Sequence, residues 1–385
     1  MHINSKIFIA GYRGLVGSAI TSSLKEKGYN NLILKSKEEL DLTDQKLVDS
    51  FFSEESPEYV ILAAAIVGGI NANNTYRADF IYQNLVIQTN VIHSAWKYCV
   101  KKLIFLGSTC IYPKDAPQPL REDYLLSSPL EHTNEPYAVA KITGLKMCES
   151  YNIQYKTNFI SVMPTNLYGT GDNFDLEKSH VLPALLRKLH LGKCLETGNW
   201  ELITEDLNKR PIGEISGIAD KETIISTLSK HGIHYRNEHE SVSEFAGSSI
   251  TRSDEKTVIV KVWGTGFPLR EFMNSQDMAE ACVYILEKID VRDIIDYHLS
   301  VNKSQDYHPP HFINIGTGKE ISIKETAFKL KEVTGFKGEI IFDTSMPDGT
   351  MRKVTDISAL RKLGFKHKID LDSGLKSWYH HYLNS

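Results

Sequence analysis

Five short apolar runs punctuate the first 166 residues, and a glycine-spaced turn follows the first of them. The runs are KIFIAG (Lys6–Gly11), NLILKS (Asn31–Ser36), YVILAAA (Tyr59–Ala65), KKLIFLGS (Lys101–Ser108) and NFISVMPTN (Asn158–Asn166). Amphipathic stretches such as LVGSAITSSLKEKG, DQKLVDSFFSEE and YQNLVIQTNVIHSAWKYCV separate them, with apolar residues at three-and-four spacing. A strand that is apolar at every position is covered on both faces, which alternating helices achieve for a parallel sheet. Right-handed crossovers then dictate a Rossmann-like, doubly wound α/β core. The expected division is a dinucleotide-binding core over residues 1–168 and a smaller C-terminal α/β substrate domain over 169–385. Part of the C-terminal half returns to the core.

The turn itself, GYRGLVG, places glycines at 11, 14 and 17, between the first strand and the first helix. Gly11 permits the tight turn, Gly14 admits a pyrophosphate close to the backbone, and Gly17 lets helix and strand approach. The helix N-terminus, at Leu15 and Val16, adds N–H donors and a favourable dipole for that anion. NAD-binding chains usually end the second strand with an acid that grips the ribose hydroxyls. Here that strand ends in LKSKEEL, with Lys35 and Lys37, and Arg13 lies inside the turn. Basic residues at both places suit a 2′-phosphate, so NADPH/NADP is the expected cofactor. Asp41 and Leu42 are placed for the adenine, Ala63 and Ala65 for passage past the third strand, and Pro164, Asn166 and Leu167 for the far end.

NEPYAVAK sets Tyr137 and Lys141 one helical turn apart on one face, with Pro136 at an early helical position. A free phenol titrates near 10, too high for an efficient proton relay at neutral pH. A neighbouring ammonium stabilises phenolate, so Lys141 is expected to lower the value for Tyr137 and to hold the nicotinamide ribose. Ser108, with Thr109 beside it, ends the fourth strand, where open α/β sheets bind ligands. A hydroxyl, a phenol and an ammonium in that arrangement reduce a carbonyl with hydride.

These features resemble the extended short-chain dehydrogenase/reductases. The motifs GSTCIYPKDAPQPLREDYLL, LEHTNEPYAVAK, SVMPTNLYGTGDNF, SHVLPALLRKLH, VWGTGFPLREFMNSQDMA and PDGTMRKVTDISALRKLGF are similar to those of GDP-L-fucose synthases, bifunctional epimerase/reductases of GDP-4-keto-6-deoxymannose. The likeness covers roughly five-sixths of the chain. It implies that Cys110 and His180 exchange protons at C3 and C5 of the sugar, beside a C4 ketone that acidifies them. Ser108 and Tyr137 would hold the enolate oxygen. It further implies that Arg187 and Lys353 contact the substrate phosphates, that Asn166 and Arg270 line the sugar site, and that Trp263 lies along the nucleotide.

The chain departs from the family pattern over about 194–256, a polar stretch where that connection is short. It is open to four readings: an inert loop, a small subdomain, an oligomer contact or a lid. Asn274 and Gln276 also replace the His and Asp of many relatives. A GDP-4-keto-6-deoxy-heptose reductase without epimerase activity is therefore the alternative. A 4,6-dehydratase or C4 epimerase is a weaker one, since STCIYP carries a cysteine where a dehydratase needs carboxylates. A nucleotide-sensing relative without turnover is disfavoured by the intact Ser108, Tyr137 and Lys141.

A net charge of -4 argues against nucleic acid or membrane surfaces as partners. Five widely spaced cysteines form neither a disulfide framework nor a zinc site, so no metal is expected. The N-terminus lacks a signal-peptide pattern and no apolar run reaches membrane-spanning length, so a cytoplasmic location is expected. A homodimer is the expected assembly.

Overall fold

The computed structural model describes residues 1–236 and 257–384. The chain divides into two compact units. The first comprises Met1–Asp172, Arg270–Glu320 and Arg352–Gly374; the second comprises Asn173–Leu269, Ile321–Met351 and Leu375–Ser385.

A six-stranded sheet organises the first unit, in the order Phe312–Ile315, Phe159–Pro164, Lys102–Leu106, Tyr59–Leu62, Ile7–Ala10, Leu32–Ile33. Every adjacent pair is parallel. From Ile7–Ala10 the chain proceeds first to one neighbour and then to the other, which makes a switch point at the carboxyl end of that strand. Alternate side chains serve opposite faces. Ile7, Ile9, Ile61, Ile104, Ile160 and Ile313 pack with Ile20, Leu24, Met278, Cys282 and Ile285 of helices Leu15–Glu26 and Ser275–Lys288. Phe8, Val60, Leu62, Leu103, Phe105 and Phe159 pack with Phe51, Phe52, Val91 and Ile92 of helices Gln45–Glu55 and Arg77–Lys97. Each fully buried side chain of this kind contributes about 1.5–3 kcal/mol. The doubly wound α/β fold inferred from the apolar runs is the one observed.

Local readings fared unequally. The helical turn expected at Tyr137 and Lys141 belongs to a long helix, Glu135–Tyr155, with Pro136 in its first turn. The second strand is only Leu32–Ile33, shorter than the apolar run. The stretch DVRDIIDYHLSVNKSQDYHPP reads as a loop-rich connector, yet Val291–Val301 is a helix, begun by a capping box between Asp290 and Asp293. Its Ile294 and His298 are buried.

In the second unit, Glu339–Asp343 pairs parallel with Val258–Trp263, which pairs antiparallel with Ile233–Tyr235. Helices Val181–Glu196, Trp200–Lys209, Lys221–Lys230 and Ile323–Thr334 accompany this sheet. The polar stretch of about 194–256 is thus partly built into the unit: Asn199 and Asp220 cap its two helices, and Ile203, Leu207, Ile224, Leu228 and Ile233 are buried. Residues 237–256, the rest of that stretch, lie outside the described residues.

Candidate active site

At the switch point the three turn glycines have different physical reasons. Gly11 has φ +85°, and a Cβ there would stand 2.6 Å from the Ala64 nitrogen. A Cβ on Gly17 would stand 2.1 Å from the Gly11 carbonyl oxygen. Both are therefore demanded by the protein's own packing. Gly14 is not: its φ is -74°, and a Cβ would meet only the Gly11 oxygen, at 3.5 Å. Gly14 is the N-cap of helix Leu15–Glu26 and supplies no side-chain cap to its first N–H groups. An exposed glycine that packing does not require, at an uncapped helix start, leaves a cradle for an anion. The turn residues thus fit a dinucleotide pyrophosphate. Half-buried Ala63 and Ala65 follow the third strand, and Pro164, Asn166 and Leu167 follow the fifth, all in this unit.

Arg13 is exposed, with its Nε donating to the Tyr12 hydroxyl at 3.0 Å. Glu38 approaches it to 3.7 Å, so a carboxylate shares the basic corner. Both partners are mostly exposed, and such a pair is weak. Lys37 is exposed and Lys35 half-buried. One carboxylate oxygen of Asp41 accepts from the Thr43 nitrogen at 2.9 Å and hydroxyl at 2.7 Å, which holds its pKa low. Half-buried Leu42 adjoins it, its carbonyl accepting from Asn90 at 3.0 Å.

Ser108 follows strand Lys102–Leu106, and its oxygen accepts the Cys110 N–H at 3.2 Å. The same hydroxyl acts on Tyr137, in the sense that lowers its pKa. Lys141 is buried, donates to the Leu106 carbonyl at 2.7 Å, and lies 5.7 Å from the Tyr137 ring centre. The hydroxyl, phenol, thiol and ammonium inferred from separate motifs therefore meet at the carboxyl end of the sheet.

The electrostatics reverse one expectation. Burial, then the electrostatic effect of the neighbouring Cys110, push the Tyr137 pKa well up, against the lowering effect of Ser108. Lys141 does not bring it down, because burial drives Lys141 itself to about 7. A half-neutral ammonium exerts little pull on a phenolate. Tyr137 is thus held as a protonated phenol.

Two further groups in this unit complete the site. Lys353 Nζ lies 3.5 Å from the Cys110 sulfur. Asn166 donates to the Glu271 carbonyl at 2.9 Å, next to half-buried Arg270. The Glu271 side chain is fully buried and escaped the reading of the motifs. One carboxylate oxygen accepts from the Thr317 and Gly318 nitrogens at 2.5 and 2.7 Å. The other accepts from the Thr355 nitrogen and hydroxyl, both at 2.8 Å. It ties the segment bearing Lys353 to the turn after Phe312–Ile315. The string LREFMNSQDMA offered only one signal for it, a lone acid beside apolar residues. Asn274 caps helix Ser275–Lys288 by accepting from the Gln276 nitrogen at 2.9 Å, which gives the departure at 274 a local purpose.

In the second unit, exposed His180 is the N-cap of helix Val181–Glu196 and makes no side-chain cap. Trp263 ends its strand with 63% of its surface exposed. Arg187 is a correction. It was expected at the substrate phosphates, but its side chain is 0% exposed and bridges Asp206 at 2.8 Å. Its guanidinium also donates to the Phe174 carbonyl at 3.1 Å and to the Arg210 carbonyl. Asp206 belongs to helix Trp200–Lys209, so this arginine is held inside the second unit.

The family model for the NAD dependent epimerase/dehydratase family matches residues 7–220 and 222–302. GDP-L-fucose synthase 1 of Arabidopsis thaliana is 46% identical over 382 residues, 99% of this chain and 94% of that protein. The chain belongs to the GDP-L-fucose synthase family. Among solved structures, a GDP-6-OMe-4-keto-L-xylo-heptose reductase from C. jejuni is 44% identical, with a TM-score of 0.86 and coverage of 100% of this chain and 99% of that one. A GDP-mannoheptose C4 reductase from Campylobacter jejuni, solved with NADP bound, is also 44% identical, with a TM-score of 0.80 and 99% of each chain covered. Among the described residues no helix is long and apolar enough to cross a membrane.

Proposed function

We propose that this member of the family uses NADPH to reduce C4 of a GDP-linked 4-keto-6-deoxy-sugar. The observation that carries this reading is the grouping of Ser108, Cys110 and Tyr137, with the Lys141 nitrogen 5.7 Å from the Tyr137 ring centre, in the unit that also holds the Gly14 cradle. Bound there, the cofactor supplies hydride to C4. Ser108 and Tyr137 donate to the ketone oxygen as negative charge develops on it. Tyr137 then gives up its proton to form the C4 hydroxyl, and its raised pKa ensures that it holds that proton beforehand. Lys141 is assigned to the nicotinamide ribose and Arg13 with Lys37 to the 2′-phosphate. Leu15 and Val16 offer backbone N–H groups to the pyrophosphate. Epimerisation at C3 and C5 precedes reduction, with Cys110 removing a proton and His180, by its motif, returning one. Asn166, Arg270 and Trp263 are assigned to the sugar nucleotide.

A second reading has specific support: heptose reductases match this chain at 44% identity along nearly its whole length. There the substrate is a GDP-4-keto-6-deoxy-heptose and the epimerase steps are lost. A homodimer in the cytoplasm is part of the proposal.

The deciding experiment incubates the enzyme and NADPH with GDP-4-keto-6-deoxymannose and with its heptose analogue in heavy water, and reads products by NMR. Reduction at C4 of one substrate is expected, with deuterium at C3 and C5 only if epimerisation occurs. No NADPH oxidation with either sugar would overturn the reading. Comparable kcat/KM for NADPH and NADH would remove Arg13 and Lys37 from the 2′-phosphate.

A further inference from the structure

The Lys353–Cys110 contact gives Lys353 a second task, different from holding a phosphate. Its ammonium nitrogen lies 3.5 Å from the sulfur, within reach of an N–H···S hydrogen bond. The contact is built in. Leu120 donates to the Val354 carbonyl at 2.7 Å, and Asp356 donates back to the Leu120 carbonyl at 2.9 Å. The Val354 nitrogen donates to the Gln118 side chain at 3.0 Å. The buried Glu271 carboxylate grips Thr355, two residues along, through both nitrogen and hydroxyl. These bonds flank Lys353 and fix the backbone from which it reaches the thiol. Cys110 is fixed in turn by its own N–H bond to Ser108.

The remaining titratable neighbours in this unit do not compete for the role. Tyr137 faces Cys110 and repels a thiolate when it ionises, but it is held protonated. Lys141 lies beyond Tyr137 with its nitrogen on the Leu106 carbonyl. Lys353 is the cation in contact with the sulfur.

We propose that Lys353 holds Cys110 as a thiolate in the resting enzyme, so that the lysine–cysteine pair is the working base of the site. This rests on the reading that Cys110 faces the sugar. The thiol proton leaves to solvent, and Lys353 remains an ammonium throughout. The thiolate electron pair then takes a proton from the carbon beside the C4 ketone. The C–H electrons pass to the enolate oxygen held by Ser108 and Tyr137, and Cys110 becomes a thiol until the proton is exchanged.

Iodoacetamide alkylation of the full-length enzyme at neutral pH, resolved by peptide mass spectrometry, tests this without substrate. Cys99, exposed and remote in sequence, is the internal control, and buried Cys148, Cys194 and Cys282 report folding. Lys353→Met should slow alkylation of Cys110 by about tenfold, since an adjacent cation favours the thiolate on that scale. Lys353→Arg should restore most of the rate. An unchanged Cys110 rate in Lys353→Met, with Cys99 behaving normally, would overturn the proposal. If that variant exposes the buried cysteines, wild type against Cys110→Ser decides instead: excess ultraviolet thiolate absorbance in wild type supports the pair, and its absence refutes it. Deuterium wash-in at C3 and C5 is scored separately. Charge-dependent alkylation without wash-in would leave the pair standing and sink the epimerase reading.

Discussion

Removing Asp206 should destabilise the second unit far more than removing an ordinary surface acid. Its carboxylate accepts from Arg187 Nε at 2.9 Å, from Arg210 at 3.3 Å and from the Tyr382 hydroxyl. Arg187 is 0% exposed and Asp206 2% exposed. Asp206→Ala would leave a guanidinium buried with only the Phe174 and Arg210 carbonyls as partners. Breaking one side of such a pair costs about 3–5 kcal/mol. At roughly 2–4 °C per kcal/mol for a unit of this size, the melting temperature should fall by about 10 °C. Tryptophan fluorescence reads this directly, because Trp200 opens the helix bearing Asp206 and Trp378 stacks on Phe174 at 5.5 Å. The double change Arg187→Met with Asp206→Leu removes the buried guanidinium too, and should recover part of the loss, the remainder reflecting Arg210 and the Tyr382 hydroxyl deprived of their acceptor. A melting temperature within about 2 °C of wild type for Asp206→Ala would refute the argument. The double variant also separates two roles for Arg187. A structural arginine leaves KM for the sugar nucleotide nearly unchanged, whereas a lost phosphate contact would raise it by about tenfold or more.

Tyr137→Phe should lower kcat for NADPH oxidation by ~10²–10⁴-fold with cofactor affinity retained, and turnover near wild type would remove the phenol as proton donor. Gly14→Ala should fold as wild type by thermal melting yet bind NADPH more weakly by fluorescence titration, while Gly17→Ala should fail to fold for want of room beside the Gly11 carbonyl. Equal cofactor affinity in Gly14→Ala would deny the pyrophosphate its place. Burial raises the Glu122 pKa from 4.5 to about 7, so its contribution to stability is full below 4.5 and is lost as pH rises through 7. Glu122→Gln, which still accepts the Asn314 nitrogen, should therefore gain in urea midpoint over wild type between pH 5 and 8, and a constant difference would show that Glu122 does not titrate there.

The parts of this protein that local chemistry dictates were legible in its sequence. Uniformly apolar runs announced strands covered on both faces, and the glycine spacing announced the turn. Tyr137, Lys141, Ser108 and Cys110 were legible because each sits in a short string whose spacing fixes its direction. Arg187 was not, for a physical reason. Its neighbours Asp206 and Tyr382 are 19 and 195 residues along the chain, and no spacing rule reports that a distant helix will claim a guanidinium. Glu271 was hidden in the same way, since its partners Thr317 and Thr355 come from two separate segments. The helix Val291–Val301 was missed because its capping box uses two aspartates rather than the Ser/Thr-to-Glu pattern that usually signals one.

The pKa values at the centre of the site favour one direction of reaction. An oxidative enzyme that took a proton from a sugar hydroxyl would need Tyr137 as phenolate. Burial and the neighbouring Cys110 charge both oppose that form. Lys141, pushed to about 7, offers only a partial charge to counter them. A reductive enzyme needs the opposite, a phenol that still holds its proton when hydride arrives. The alkoxide that forms at C4 draws this proton as hydride arrives, so the phenol need not ionise beforehand.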